Sequence, residues 1–301
     1  ASMLVAGVYP AECSLGATRV PLTDWSSTFT AWWSLDEASG TRVNNAGASS
    51  CGGTPGNCNL TQVGTVVNDT SNFQEGVAAA SFDGSISHLE DATDVIYHPV
   101  GQMTYGGWVR VDDESLNRVA VHHRKFGSSG YELTYFSGTD RLTCQADTSS
   151  VAITDANTVN AYAFAVCTWD GASLRAYGNG KAPVSTALTT LTSYSYPFSL
   201  GEAATVPVAD GMMLGELDEI GFVNGLALSD DAVCRWCSCG IRGEQCLCDG
   251  ANPVQYADSG RNATACNSCA LPVCNAPAPI VPTPTPSLTP TPTPTPTSTP
   301  P

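Results

Sequence analysis

An all-β fold of antiparallel strands, a sandwich or a barrel, is predicted for residues 28–229 by three observations. Short apolar runs are separated by Gly, Asn, Asp and Ser clusters, with no helical period among them. Tyr162, Phe164 and Val166 alternate with Ala163, Ala165 and Cys167, the two-residue period of a strand with distinct faces. Dipeptides that tolerate positive φ and favour hairpins fall between the runs: Asp83-Gly84, Asp170-Gly171, Asn179-Gly180 and Asn224-Gly225. No internal repeat stands out, which argues against a propeller or solenoid.

In chain order the strands are predicted near 29–36, 77–83, 103–111, 117–124, 130–136, 141–146, 161–169, 173–177, 196–200 and 212–223. Around them the composition divides the chain into four segments. Residues 1–27 are an N-terminal extension in which 2–9 form one short strand, available for contact with another subunit. Residues 28–229 are the β domain, 230–275 hold eight cysteines, and 276–301 are Pro-Thr-rich without a charge or an aromatic. A sandwich of roughly 200 residues buries about 70% of its unfolded surface and needs no metal to hold a core.

The formal charge of −16 and only 12 Lys and Arg among 301 residues argue against nucleic acid, which demands clustered basic side chains. Thirteen cysteines fit an oxidising compartment, where they act as staples. No apolar run approaches the roughly 20 residues that span a bilayer. A chain that begins at Ala1 is what signal cleavage leaves. These features together predict a secreted or cell-surface protein.

Several segments resemble a laminin-G-like (concanavalin A-like) jelly roll. Trp33-Ser34-Leu35-Asp36-Glu37-Ala38-Ser39-Gly40 is similar to that family's first strand. Ser81-Phe82-Asp83-Gly84 and Met103-Thr104-Tyr105-Gly106-Gly107-Trp108-Val109-Arg110 follow in the family's order. So do Thr168-Trp169-Asp170-Gly171 with Tyr177-Gly178-Asn179-Gly180, then Gly215-Glu216-Leu217-Asp218-Glu219-Ile220-Gly221-Phe222. Leu226-Ala227-Leu228-Ser229 resembles the closing turn. The resemblance implies a two-sheet antiparallel jelly-roll sandwich, a fold that hosts lectins, hydrolases, adhesins and structural modules alike.

Retaining glycosidases on this sandwich carry Glu-x-Asp-x-(x)-Glu on one strand face, with two carboxyls about 5–5.5 Å apart. Glu216 and Asp218 match the first two positions, but the third falls at Ile220 or Gly221, neither of which carries a proton. Strict alternation turns Glu219 to the opposite face. No enzyme is expected. His122 and His123, adjacent on one strand, also face opposite ways and make no metal face; with His88 and His98 they read as surface polar or turn residues.

No cofactor is expected, although relatives bind structural calcium on rim oxygens. Asp36, Glu37, Asp83, Asp91, Asp94, Asp112 and Asp113 are ligands of that hard type. For a glycan platform Trp25, Trp32, Trp33, Trp108 and Trp169 are available, with Trp108 and Trp169 better explained as mid-strand core.

Cys51 and Cys58 bracket a turn that a local disulfide closes, and Cys144 and Cys167 lie in two strands they can cross-link. Cys234, Cys237, Cys239, Cys246, Cys248, Cys266, Cys269 and Cys274 form a compact set whose pairing the sequence leaves open. Two Cys-x-x-Cys pairs admit a zinc reading. Their spacing exceeds that of common zinc ribbons, and exported context favours a disulfide knot. Cys13 remains over, as a partner in the knot, a free thiol or an intermolecular link.

Asn59, Asn68 and Asn262 head N-glycosylation sequons. Thr283, Thr285, Thr289, Thr291, Thr293, Thr295, Thr297 and Thr299 are dense O-glycosylation acceptors in a polyproline II stalk. At about 3.1 Å per residue the stalk from Ala276 reaches roughly 80 Å. These features point to a non-enzymatic extracellular structural or adhesive glycoprotein that self-associates into a surface or filamentous assembly. A carbohydrate-binding module is the alternative, and a glycoside hydrolase the third reading.

Overall fold

The computed structural model describes residues 20–21, 26–46, 51, 58–92, 95–125, 129–153, 159–192, 196–202, 211–241, 246–249, 252–255 and 266. The strands begin with β1 (Val20–Pro21), β2 (Ala31–Trp33), β3 (Thr61–Val63), β4 (Val66–Asp69), β5 (Ala79–Asp83) and β6 (His88–Asp91). Next come β7 (Met103–Val111), β8 (Arg118–Lys125), β9 (Ser129–Phe136), β10 (Arg141–Ala146), β11 (Ser149–Ala152) and β12 (Ala163–Trp169). After β13 (Ser173–Gly178), β14 (Val184–Ala187), β15 (Phe198–Leu200) and β16 (Leu214–Asn224) comes one helix, α1 (Asp230–Cys239). Two short strands follow, β17 (Cys246–Asp249) and β18 (Asn252–Gln255).

Two antiparallel sheets face one another. One runs β11-β10-β9-β8-β15-β6-β3, and the other β14-β13-β12-β7-β16-β5-β4 with β2 added on β16. This is the two-sheet sandwich that the strand pattern and the resemblance predict. Every strand predicted within residues 28–229 is present, though 29–36 and 196–200 shrink to three residues each. Strands β3, β4, β6, β11 and β14, short and polar, carry too weak an alternation to be found in the sequence.

The inner faces make one core of aromatic and aliphatic side chains. Tyr97 stacks on Phe198 at 4.3 Å, and Phe198 on Trp33 at 5.3 Å. The polar tips are satisfied, as burial requires. Trp33 Nε1 donates to the Cys58 carbonyl at 2.7 Å, and the Tyr131 hydroxyl to the Tyr97 carbonyl at 3.1 Å. His123, expected at the surface, sits inside this core against the rings of Tyr97 and Tyr131. The strand pattern placed it correctly opposite His122 but could not show that its face is the covered one.

A second apolar layer lies outside the eight-stranded sheet, beneath α1. No helix is expected there from the strand pattern or the cysteine spacing. Its end signals are nonetheless present: Ser229 caps the Ala232 N–H, Asp230 and Asp231 occupy the first turn, and Gly240 (φ 73°) closes the last. Val233, Trp236 and Cys237 recur on one helix face and are buried. Trp236 meets Phe29 at 5.0 Å and Phe164 at 5.3 Å, both edge-on. Gly221 on β16 makes this possible, because a Cβ there would come within 2.5 Å of the Phe29 ring and 2.9 Å of Trp236.

Disulfides join Cys51 to Cys58, Cys144 to Cys167 and Cys237 to Cys266. Cys234 and Cys239 are disulfide-bonded as well. The Cys237–Cys266 bond takes one member from each Cys-x-x-Cys pair. Cys144 is on β10 and Cys167 on β12, so their bond ties one sheet to the other through the core. It closes a separation of 23 residues, for which loop entropy gives about 2–4 kcal/mol. Replacing both cysteines with alanine is expected to lower the unfolding free energy from guanidinium titration by that amount, and the midpoint with it, while the far-ultraviolet spectrum is retained. An unchanged midpoint would show that packing alone holds the sheets together.

Candidate functional site

The carboxylate strand is the first place to look for chemistry. Along β16, Asp218 pairs with Trp108 and Gly221 with Gly106. Glu219 and Ile220 therefore both face the single residue Gly107, which is a β-bulge. Glu219 takes φ 51°, and a Cβ at Gly107 would lie 2.5 Å from its carbonyl oxygen. The bulge overturns the alternation argument. Leu217 and Ile220 enter the inner core, while Asp218 and Glu219 both face outward under α1.

These carboxyls are structural fasteners. Asp218 Oδ2 accepts the N–H groups of Gln74 and Glu75 at 2.6 and 3.0 Å. Glu219 Oε2 accepts the Trp32 Nε1 proton at 2.6 Å. Glu216 pairs with Arg110, which also binds Asp112 at 2.9 Å. All three acids on β16 are nearly or completely buried.

The rim acids are similarly engaged. Asp36 accepts the Val77 and Ala78 N–H groups, and Asp83 and Asp113 close turns onto Ser85 and Ser115. Glu37 accepts the Val43 N–H, and Asp91 the Tyr97 hydroxyl. Among the described residues no group of three or more His, Cys, Asp or Glu is placed to hold a metal ion. Asp94 lies outside them.

The outer face of the seven-stranded sheet is different. Its register aligns one residue from each strand: Ser150, Gln145, Glu132, His122, Ser199, Glu90 and Thr61. Every member is polar. Ser150 and Thr61 at the ends are exposed, Gln145 and Glu90 are half-buried, and the central three are buried. His122 thus belongs to a covered polar row, not the open surface expected of it.

The centre of the row is a charge network. Glu132 Oε1 accepts from Arg124 at 2.8 Å and from Gln145 at 2.6 Å. His122 Nδ1 donates to Glu132 Oε2 at 3.3 Å. Burial works to raise the Glu132 carboxyl, but His122 and Arg124 outweigh it and hold it below the ordinary carboxylate range. Arg124 Nη1 also bonds Gln145, and its Nη2 the Asp147 carbonyl. His88 pairs with Glu202 beside the row, and burial pushes Glu202 up against the pull of His88 and His122. Within the Glu132 network, His122 Nε2 and Arg124 Nε are buried without a hydrogen-bond partner among the described residues. Spare hydrogen-bonding capacity in a covered polar surface is what a ligand hydroxyl or a water fills.

The tryptophan platform is absent among the described residues. Trp32, Trp33, Trp108 and Trp169 are all buried, and Trp25 lies outside the described residues. Asn59 is half-buried and accepts the Asn44 N–H; Asn68 donates its Nδ2 to the Asp36 carbonyl at 3.1 Å. Cys13, Cys269, Cys274, Asn262, the strand at 2–9 and the stalk threonines lie outside the described residues.

Glu216 gives this arrangement a pH signature. Burial raises its carboxyl to about 7 although Arg110 pulls the other way. A raised acid stabilises the fold fully below its unfolded pKa, and the contribution is lost as pH rises through the folded value. Denaturation midpoints are therefore expected to fall between roughly pH 4.5 and pH 7, and Glu216→Gln to flatten that slope. An equal slope in both proteins would show that Glu216 stays ionised throughout.

The family model of the concanavalin A-like lectin/glucanases superfamily, of laminin-G type, matches residues 83–234. Among solved structures, the binding domain of Paraclostridial Mosquitocidal Protein 1 is similar at 11% identity and TM-score 0.54, over 71% of this chain and 52% of that one. The receptor-binding domain of botulinum neurotoxin mosaic serotype C/D matches at 12% identity and TM-score 0.50, over 69% of this chain and 50% of its own. The chain thus spans about half the length of these structures, and at such identity the likeness is one of fold. No curated protein matches the sequence. With its strands in the family's order and its motifs in register, the chain belongs to the concanavalin A-like lectin/glucanase superfamily, laminin-G type.

Proposed function

We propose that this protein is a non-enzymatic extracellular recognition module that binds carbohydrate on the outer face of its seven-stranded sheet. The observation that carries the reading is the unbroken polar row from Ser150 to Thr61, with His122 Nε2 unpartnered at its centre. Sugars present adjacent hydroxyls that both donate and accept, and a row of mixed donors and acceptors matches them. Glu90, Glu132 and Glu202 set three carboxyls on this face against the Arg124 guanidinium, and the whole chain is acidic. Neutral glycans suit that balance better than sulfated or uronic ones.

Hydrolysis lacks support because the acids of β16 are buried and committed to backbone and side-chain partners. Disulfides and the laminin-G fold support an extracellular setting. No helix of the described residues is long and apolar enough to cross a membrane. The adhesive part of the proposal, self-association into a surface or filamentous assembly, rests on Cys13, the strand at 2–9 and the glycan-ready stalk. In such a protein the stalk holds the sandwich away from its anchor.

Binding of the full chain to neutral oligosaccharides, titrated with and without calcium, tests the glycan reading. Glu90→Ala combined with Gln145→Ala, on the half-buried flanks of the row, is expected to weaken binding at least about tenfold, the loss of one or two net hydrogen bonds. Failure of every neutral glycan to bind, or equal affinity in the double variant, would remove this face from consideration.

A further inference from the structure

Two of the three sequons lie wholly within the described residues, Asn59-Leu60-Thr61 and Asn68-Asp69-Thr70. An N-linked sugar is bulky and polar, so its asparagine must present the amide nitrogen to solvent in the native chain. That holds whether transfer precedes folding or follows it. The two asparagines differ on this point.

The chain leaves the Cys51–Cys58 bond through Cys58, which takes φ 62°, and continues into β3. Leu60 is the anchor of this stretch. It is buried in the inner core and exchanges both backbone hydrogen bonds with Arg42. Asn59 and Thr61 flank it and turn to the opposite side, as alternation requires. Asn59 is half-buried and Thr61 exposed. Asn59 Oδ1 accepts the Asn44 N–H at 2.8 Å, and Asn44 is held in turn by the Trp32 N–H on its own Oδ1 at 2.9 Å. The Asn59 carboxamide is therefore fixed through its oxygen. Its Nδ2 donates to no group among the described residues and is not a buried atom, so it meets solvent.

Asn68 presents the opposite case. It lies inside β4, and its Nδ2 donates to the Asp36 carbonyl at 3.1 Å. Asp36 also accepts the Val77 and Ala78 N–H groups. Its carboxylate rests so closely on Gly76 that a Cβ there would collide with it. A sugar on the Asn68 nitrogen would have to enter this packed turn or give up the bond that ties β4 to it.

We propose that Asn59 carries an N-linked oligosaccharide and that Asn68 stays unmodified. The new bond joins Asn59 Nδ2 to the anomeric carbon of a glycosyl diphosphate donor. The bond from that carbon to the diphosphate oxygen breaks, the diphosphate leaves with the electron pair, and the amide nitrogen loses one proton. Oδ1 is untouched, so the hydrogen bond from Asn44 survives the modification. Thr61 supplies the sequon hydroxyl and is also the end member of the polar row. The sugar accordingly leaves from the edge strand of the seven-stranded sheet, with β6 and β15 between it and the strand of His122. Attachment at Asn59 holds whether or not that face binds carbohydrate.

Glycopeptide mass spectrometry of the chain from its natural source tests this, with electron-transfer fragmentation assigning each sugar to its asparagine. A glycan on Asn59 and an unmodified Asn68 are the expected result. In the full chain secreted by a glycosylating eukaryotic host, Asn59→Gln is expected to remove the mass of one glycan and Asn68→Gln to remove none. Should Asn59→Gln not be secreted, Thr61→Ala, which takes away only the sequon hydroxyl, is measured by the same criterion. An unmodified Asn59 in either preparation, or a glycan on Asn68, overturns the proposal.

Discussion

The bulge in β16 is the constraint around which the molecule is arranged. Strand β16 is the longest described and is buried over nearly its whole length, with the inner core on one side and α1 on the other. A strand covered on both faces normally carries apolar residues throughout. This one carries Glu216, Asp218 and Glu219. Inserting one extra residue opposite Gly107 lets Leu217 and Ile220 stay inside while two adjacent acids turn outward together. Their carboxyls then fasten Trp32 and the turn at Gln74 and Glu75, which form part of the platform for the helix.

The two sheets consequently have opposite outer faces. On the eight-stranded sheet, Trp108, Phe164 and Trp236 make a second apolar layer, and the chain's own cysteine-rich segment occupies it. On the seven-stranded sheet the corresponding positions are hydroxyls, amides, carboxylates and a histidine in one register row. Covering such a row with apolar side chains would cost the desolvation of every member. A polar partner can replace the water without that loss. The face that resembles a glycosidase strand in sequence is therefore closed, and the face without any motif offers hydrogen bonds.

The strand pattern carried the sandwich well because its long strands, β7, β8, β9 and β12, have alternating or continuously apolar runs bounded by turn dipeptides. It failed at Glu219, since a bulge shifts the period by one residue and leaves no mark in the polarity pattern. Gly106-Gly107 on the facing strand was the available signal. It failed at α1, whose cap residues were legible but whose apolar face is built largely of Trp and Cys. It failed at His122 and His123 because alternation assigns faces without saying what covers them. The polar row was out of reach: its members come from seven strands separated by up to 138 positions, between Thr61 and Ser199, and only register brings them into line.

The sequence by itself determined the fold class, the family, the acidic character and the cysteine complement. These follow from composition and from local periodicities that sterics and burial impose on neighbouring residues. Tertiary structure alone decided which carboxyls are buried fasteners, which sheet face is closed by α1, and which residues share a row. Those outcomes depend on strand order, register and a single bulge, each set by contacts between residues far apart in the chain.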